Sequence, residues 1–332
     1  MKKIYSKVIL LVLISFLILF LVLKDNYYEI IEILKESNIK YIIIGFVVVL
    51  IGDLFKSLSI TNIIKKEKDY KLKNGFMLVL QTNFFNGITP FCLGGQPYQI
   101  YSLKKNEKIN YEDGIKIVFK DFYAYQMSLV IISSICLLIN RLLNIIEFNN
   151  VIKTLIFFGY LLNLIIALFL MYLPFSKDNG KKIIKLIVKI LYKFKLIKDK
   201  DITTTKFNKS IIDFKENIKN TLKNKVLIIK CIVFNLIKIL SVGITTYFCF
   251  KGVGVNIPIL ESIIFTIITM TMASFIPIPG SSGGMEYGFI TLFSAFAVSA
   301  ELNASLLIWR TLTYYVLVII GGFLFAVKNR EW

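Results

Sequence analysis

Two short stretches of this chain gather the residues able to bind a ligand or do chemistry. The first reads Asn83-Phe-Phe-Asn-Gly-Ile-Thr-Pro-Phe-Cys-Leu-Gly-Gly-Gln-Pro-Tyr-Gln99 and offers Asn83, Asn86, Thr89, Gln96 and Gln99 as hydrogen-bonding side chains. The second reads Phe275-Ile-Pro-Ile-Pro-Gly-Ser-Ser-Gly-Gly-Met-Glu-Tyr-Gly288 and offers Ser281, Ser282 and the acid Glu286. Helix-interrupting residues break both: Gly87, Pro90, Gly94, Gly95 and Pro97 in one, Pro277, Pro279, Gly280, Gly283 and Gly284 in the other. Proline lacks a backbone donor and clashes with the preceding turn, so an incoming helix stops there, while glycine permits close backbone approach. At the second stretch Ser281 and Ser282 are expected to cap an outgoing helix. The free N–H groups of that helix would face the break, an arrangement that seats phosphate and other anions.

The residue inventory excludes several chemistries. There is no histidine, which removes Ser-His and Cys-His nucleophile pairs and the commonest metal ligand. Cys92, Cys136, Cys231 and Cys249 stand singly in apolar surroundings, without the spacing of a zinc site or a disulfide framework, and read as packing residues. No metal and no cofactor is expected. The net charge of +19 has no soluble domain to present it, so nucleic acid is not an expected partner.

The elements that position these stretches follow from composition. With 56% hydrophobic and 18% charged residues, the chain takes the bilayer as its solvent. Apolar runs of membrane length recur at Val8–Leu23, Ile42–Gly52, Phe122–Asn140, Thr154–Phe175, Ile239–Phe250 and Thr311–Val327. The first follows Met1-Lys2-Lys3 as a signal peptide would, but no small-residue cleavage site follows Leu23, so it is expected to stay as a helix.

Charge asymmetry orients the spans. Thr61–Asn74 carries five Lys against two acids and Ser176–Lys225 fifteen Lys against five, which places both in the cytoplasm. Lys24–Asn38 has two Lys against Asp25, Glu29, Glu32 and Glu36 and belongs outside. These assignments agree only if each broken stretch enters the membrane and turns back. The expected fold is therefore an all-α integral membrane protein with about six full spans plus two oppositely oriented re-entrant helical hairpins, arranged as an inverted repeat. Residues 1–140 form the first repeat with a cytoplasm-facing hairpin at 75–103, and 141–175 link to and begin the second. Residues 176–225 form a basic cytoplasmic loop, and 226–332 complete the second repeat with an outward-facing hairpin at 258–300. Both termini are cytoplasmic. Within the loop, lysines at 181, 185, 189 and 193 fall on one helical face among bulky apolar residues, the pattern of an interfacial helix on anionic lipid.

Charges inside apolar segments sort by depth. Asp53, Lys56, Lys120, Asp121 and Lys230 lie near segment ends, from which long side chains reach the interface. Lys238, Glu286 and Arg310 lie deeper, where a charge costs about 2.5–3.5 kcal/mol and is usually paired or functional. A Glu286–Arg310 pair is expected, with a structural or a substrate-handling role left open.

The segments Ile88–Gln99 (ITPFCLGGQPYQ) and Phe275–Tyr287 (FIPIPGSSGGMEY), with Arg310 ahead of the last apolar helix, resemble the lysylphosphatidylglycerol synthase transmembrane-region family of flippase-like proteins. Thr89, Pro90, Gly94, Gly95, Pro279, Gly280, Gly283, Gly284 and Glu286 match its signature positions. In multiple peptide resistance factors this region joins a soluble synthase that transfers lysine from lysyl-tRNA to phosphatidylglycerol. The resemblance implies the translocation module, acting on membrane phospholipids of anionic or aminoacylated type, in the cell membrane, alongside a possible separate synthase partner. Many relatives carry an acid and an arginine after the first Gly-Gly, where this chain has Gln96 and Gln99. Expected binding residues are thus the polar and glycine positions of both tips, including Ser281 and Ser282, together with Lys238, Glu286 and Arg310. A phosphatidylglycerol lysyltransferase and a non-transporting scaffold are the alternatives.

Overall fold

A computed structural model of the chain describes residues 27–172 and 224–330. The expected first span at Val8–Leu23 and the basic helix at 181–198 lie outside the described residues. Helices account for all the regular structure described: α1 (Tyr27–Glu36), α2 (Ile39–Ile64), α3 (Leu72–Gly87), α4 (Gly95–Glu107), α5 (Tyr111–Leu143), α6 (Asn150–Tyr172), α7 (Lys225–Gly252), α8 (Ile259–Ala273), α9 (Gly284–Phe293), α10 (Ser299–Arg310) and α11 (Val316–Arg330). A π-helical turn, Thr311–Tyr315, joins α10 to α11 as one rod. Among the described residues, α2, α5, α6, α7 and the α10–α11 rod are long and apolar enough to cross a membrane. They coincide with five of the six crossings expected from the apolar runs.

Local chemistry sets the ends of these helices. The Asn38 side chain accepts from Lys40 N at the start of α2, Asn110 from Asp113 N at α5, and Asn224 from Leu227 N at α7. Each satisfies an amide that the first turn leaves without an internal partner. Asn144, left-handed at φ 48°, closes α5. The acidic segment read as an external connection contains helix α1, whose Ile30 is buried against the bundle while its charges face outward.

The centre of the bundle is the antiparallel pair α2 and α7. Thr245 Oγ1 donates to Gly45 O at 3.2 Å, and Asn235 Nδ2 donates to Ser59 Oγ at 3.1 Å further along the pair. After each of these long helices the chain follows the same order: a short helix, a break, a second short helix, and a long apolar rod. The short helices fold back on each other. Asn74 at the start of α3 reaches Glu107 at the end of α4, and Phe265 of α8 packs edge-on against Phe293 of α9. Because α2 and α7 run in opposite directions, the two breaks are approached from opposite ends of the bundle.

Those ends sort the connecting segments. At one, Asn38 N donates to Gly252 O at 2.7 Å, and the apolar residues of 145–148, 253–257 and 296–297 share a cluster. At the other, Lys68 pairs with Glu107, and Ile60, Ile64, Tyr70, Ile109 and Leu227 pack together. Lipid tails are as apolar as these side chains, so packing and hydrogen bonds hold the helices together. Gly159 of α6 lies directly on the backbone of Thr271 and Met272, where any side chain would force α6 and α8 apart. Nearby, Asn163 Nδ2 donates to Ser274 Oγ at 2.7 Å.

Candidate functional site

The breaks build matching tips that meet inside the bundle. After α3, Pro90–Cys92 form a single 3₁₀ turn with Phe91 and Cys92 at φ 55° and 53°. After α8, Pro279–Ser281 form the same turn with Gly280 and Ser281 at φ 62° and 52°. A Gly-Gly pair follows each turn, Gly94-Gly95 and Gly283-Gly284, and opens α4 and α9. The tips touch, with the Cys92 thiol against Ser281 and the backbone of Gly280.

Three glycine amides at the tips are bonded to side chains of the protein. Thr89 Oγ1 accepts from Gly94 N at 2.8 Å, Asn86 Oδ1 accepts from Gly95 N at 2.8 Å, and a Glu286 carboxylate oxygen accepts from Gly283 N at 2.5 Å. Ser282 Oγ donates to Pro279 O at 3.0 Å and does not cap α9. This corrects the expectation that Ser282 caps α9. An amide buried at the centre of a bundle needs a partner whether or not a ligand is bound, and for Gly94, Gly95 and Gly283 neighbouring side chains supply it.

Glu286 and Arg310 form the pair expected from their depth, with Arg310 Nε 2.7 Å from Glu286 Oε1 and both side chains nearly inaccessible. Arg310 Nη2 also donates to Gly280 O at 3.2 Å and Ser282 Oγ at 3.1 Å, so the guanidinium holds the second tip to the α10–α11 rod. One turn on, Tyr314 OH donates to Gly87 O at 2.8 Å and ties the end of α3 to the same rod. The Arg310 guanidinium lies 4.6 Å from the Tyr314 ring centroid, a cation–π contact that couples the two attachments. The π turn places Arg310 and Tyr314 at this junction, in keeping with the association of π turns with functional positions.

A cavity of about 300 Å³ lies beside the joined tips, walled by α2, α3, α4, α5, α6, α7, the end of α8 and the start of α9. Of the residues expected from sequence, Asn83, Asn86, Gln96, Gln99, Lys238 and Ser281 line it. Thr89, Pro90, Gly94, Gly95, Pro279, Gly280, Ser282, Gly283, Gly284, Glu286 and Arg310 do not line it and instead shape and brace the tips.

The cavity also contains charges that the sequence reading assigned to the interface. Lys238 Nζ lies 2.7 Å from Asp53 Oδ1, and Lys56 Nζ lies 2.8 Å from Asp121 Oδ2. Asn83 Nδ2 donates to Asp53 Oδ2 at 3.1 Å, Ser59 Oγ to Asp121 Oδ1 at 3.2 Å, and Lys56 Nζ to Asn235 Oδ1 at 3.0 Å. The carboxylates are 0% and 4% exposed and the lysines 17% and 16%, so the cations are the accessible half of each pair. Lys120 does lie at an end of the bundle, 3.6 Å from the half-exposed Glu67. No group of His, Cys, Asp and Glu able to hold a metal occurs among the described residues.

Fold and site together define a multi-pass helical membrane protein with a charged cavity beside two broken helix pairs. Residues 8–321 match the model of the lysylphosphatidylglycerol synthase TM region, and the chain belongs to that family. No curated protein matches the chain.

Proposed function

We propose that the protein binds the headgroup of a phospholipid or lipid-linked solute in this cavity and moves it across the cell membrane. The observation that carries the reading is the combination of a buried, lysine-bearing cavity with an apolar rim. Phe91 and Leu93 line the cavity and are 45% and 54% exposed, although they sit within the polar first tip. A chamber with charged groups in its wall and exposed apolar side chains beside them suits an amphiphile whose head enters while its tails stay in lipid. A cavity near the lower end of the usual range for ligand sites, about 300–1,000 Å³, suits a headgroup rather than a whole lipid.

In this reading α3–α4 and α8–α9 are re-entrant hairpins facing opposite leaflets, the two halves are an inverted repeat, and the Lys68–Glu107 end is cytoplasmic. Irregular backbone at mid-membrane is tolerated only where protein or a cavity covers it, which the meeting tips satisfy. Alternating exposure would come from one hairpin moving against the other about the Cys92–Ser281 contact. The family takes its name from a synthase. The lining of this cavity offers lysines and side-chain amides suited to holding a phosphate, with two carboxylates paired to the lysines.

The test is reconstitution into liposomes containing acyl-labelled fluorescent phospholipids, followed by bleaching of the outer leaflet. Protein-dependent bleaching beyond the outer-leaflet fraction is expected, and it should fall in a Lys56→Gln, Lys238→Gln double variant. Bleaching no faster than in protein-free liposomes, across anionic and zwitterionic lipids, refutes the reading.

A further inference from the structure

The charge balance of the cavity restricts which headgroup it can accept. Lys56, Lys238, Asp53 and Asp121 sum to zero and are paired one to one at 2.8 and 2.7 Å. A phosphodiester docking on the accessible lysines would bring an uncompensated negative charge into a low-dielectric site, already held neutral by its own acids. Burying an unpaired charge is strongly unfavourable, so the compensating cation has to arrive with the ligand. A cationic headgroup with excess positive charge meets the same penalty with opposite sign, because both carboxylates are already engaged.

A second observation locates the cation. Gln96 lines the cavity, and its Oε1 is buried with no hydrogen-bond partner among the described residues. A buried acceptor left without a donor is uncommon and calls for an explanation. A primary ammonium carries three donors and no acceptor, which matches this carbonyl oxygen, whereas a quaternary ammonium has no N–H to give. Gln96 opens α4 directly after the first tip, and Lys56 and Lys238 belong to α2 and α7, so both kinds of partner line the one cavity.

We propose that the cavity selects a net-neutral zwitterionic headgroup, with its phosphate on Lys56 and Lys238 and its primary ammonium on Gln96 Oε1. The inference rests on the lipid-translocation reading and narrows it to a substrate class.

The experiment compares acyl-labelled phosphatidylethanolamine, phosphatidylglycerol, phosphatidylcholine and lysylphosphatidylglycerol in the same proteoliposomes. Phosphatidylethanolamine is expected to cross about tenfold faster than the other three, the effect of one hydrogen bond to a charged group. Equal or faster movement of phosphatidylglycerol overturns the inference while leaving translocation standing. If no lipid moves, translocation fails, and thermal stabilisation of the wild type by dihexanoyl lipids decides the headgroup question separately. A larger shift with the ethanolamine lipid than with the glycerol lipid supports selective binding, and equal or absent shifts overturn it.

Gln96→Glu adds the missing negative charge and should reverse the order, so that lysylphosphatidylglycerol outruns phosphatidylethanolamine. An unchanged order in that variant overturns the assignment of the ammonium. Gln96→Leu, which removes the acceptor without adding charge, should bring phosphatidylethanolamine down to the phosphatidylglycerol rate, and retention of the wild-type ratio counts against the proposal.

Discussion

Neutralising Glu286 alone should destabilise the protein far more than the change of a single atom suggests. Its carboxylate is 0% exposed, faces Arg310 Nε at 2.7 Å and accepts from Gly283 N. Glu286→Gln leaves the guanidinium buried without a counter-charge, a loss of about 3–5 kcal/mol when one partner of a buried pair is removed. Arg310→Gln strands the carboxylate and also removes the bonds to Gly280 O and Ser282 Oγ, so it should be the more damaging single change. In the double variant both charges are gone and two amides can pair. Its loss should then fall short of the sum of the singles by about 2–3 kcal/mol, the upper range for residues in direct contact. The assay is thermal unfolding in detergent with a thiol-reactive fluorophore, since Cys136, Cys231 and Cys249 are free and buried until the bundle opens. Additivity within about 0.5 kcal/mol would show that the two side chains do not depend on each other and would refute the bracing of the second tip by Arg310.

Gly280→Ala should cost about 1–3 kcal/mol in the same melt, because φ 62° and the Tyr314 ring leave no room for a methyl group; an unshifted melt would contradict the tip geometry. Tyr314→Phe should cost about 1–3 kcal/mol by stranding the buried Gly87 carbonyl, and a neutral result would show that this bond is not made. With the other cysteines replaced, Cys92 and a thiol introduced by Ser281→Cys should cross-link under mild oxidation and arrest lipid movement; failure to cross-link would count against contact between the tips. Single cysteines at Asn106 and Asn256 should respectively resist and accept an impermeant thiol reagent in intact cells, and outside labelling at Asn106 would refute the orientation of the first hairpin.

The spans and both tips could be read from the sequence because bilayer length and helix-breaking residues are local signals. The Glu286–Arg310 pair was also legible, since each residue is an isolated charge within an apolar segment. The charged cavity was not. Asp53 looked interfacial because the apolar run before it ends at Gly52, yet α2 continues to Ile64 and leaves Asp53 about 16 Å from its end at 1.5 Å per residue. Asp121 was misjudged in the same way from the other direction, because α5 begins at Tyr111, well ahead of its apolar stretch. In each case the extra turns mix charged and polar residues with apolar ones, and other helices cover them, which a hydropathy window cannot register. One signal was available: Asp53 and Lys56 are three apart on one helix face, and the acid and base they require, Asp121 and Lys238, also lie within membrane-length segments. The caps at the tips were misread for a different reason. Serines just ahead of a helix are a local signal, but Thr89, Asn86 and Glu286, noted for other reasons, take the Gly94, Gly95 and Gly283 amides instead.

The π turn between α10 and α11 absorbs one residue within a continuous rod. Its defining bond runs from Val316 N to Thr311 O, one residue further than an α-helical bond. In a regular α-helix one added residue rotates everything after it by about 100°, whereas taken up as a single wide turn it leaves the two halves of the rod nearly in phase. The widening falls where Arg310 and Tyr314 leave the rod for the second tip and for the end of α3. A deletion in the regular turns of α10 or α11 is the one that would put these two attachments out of step, because no wide turn is there to take up the change.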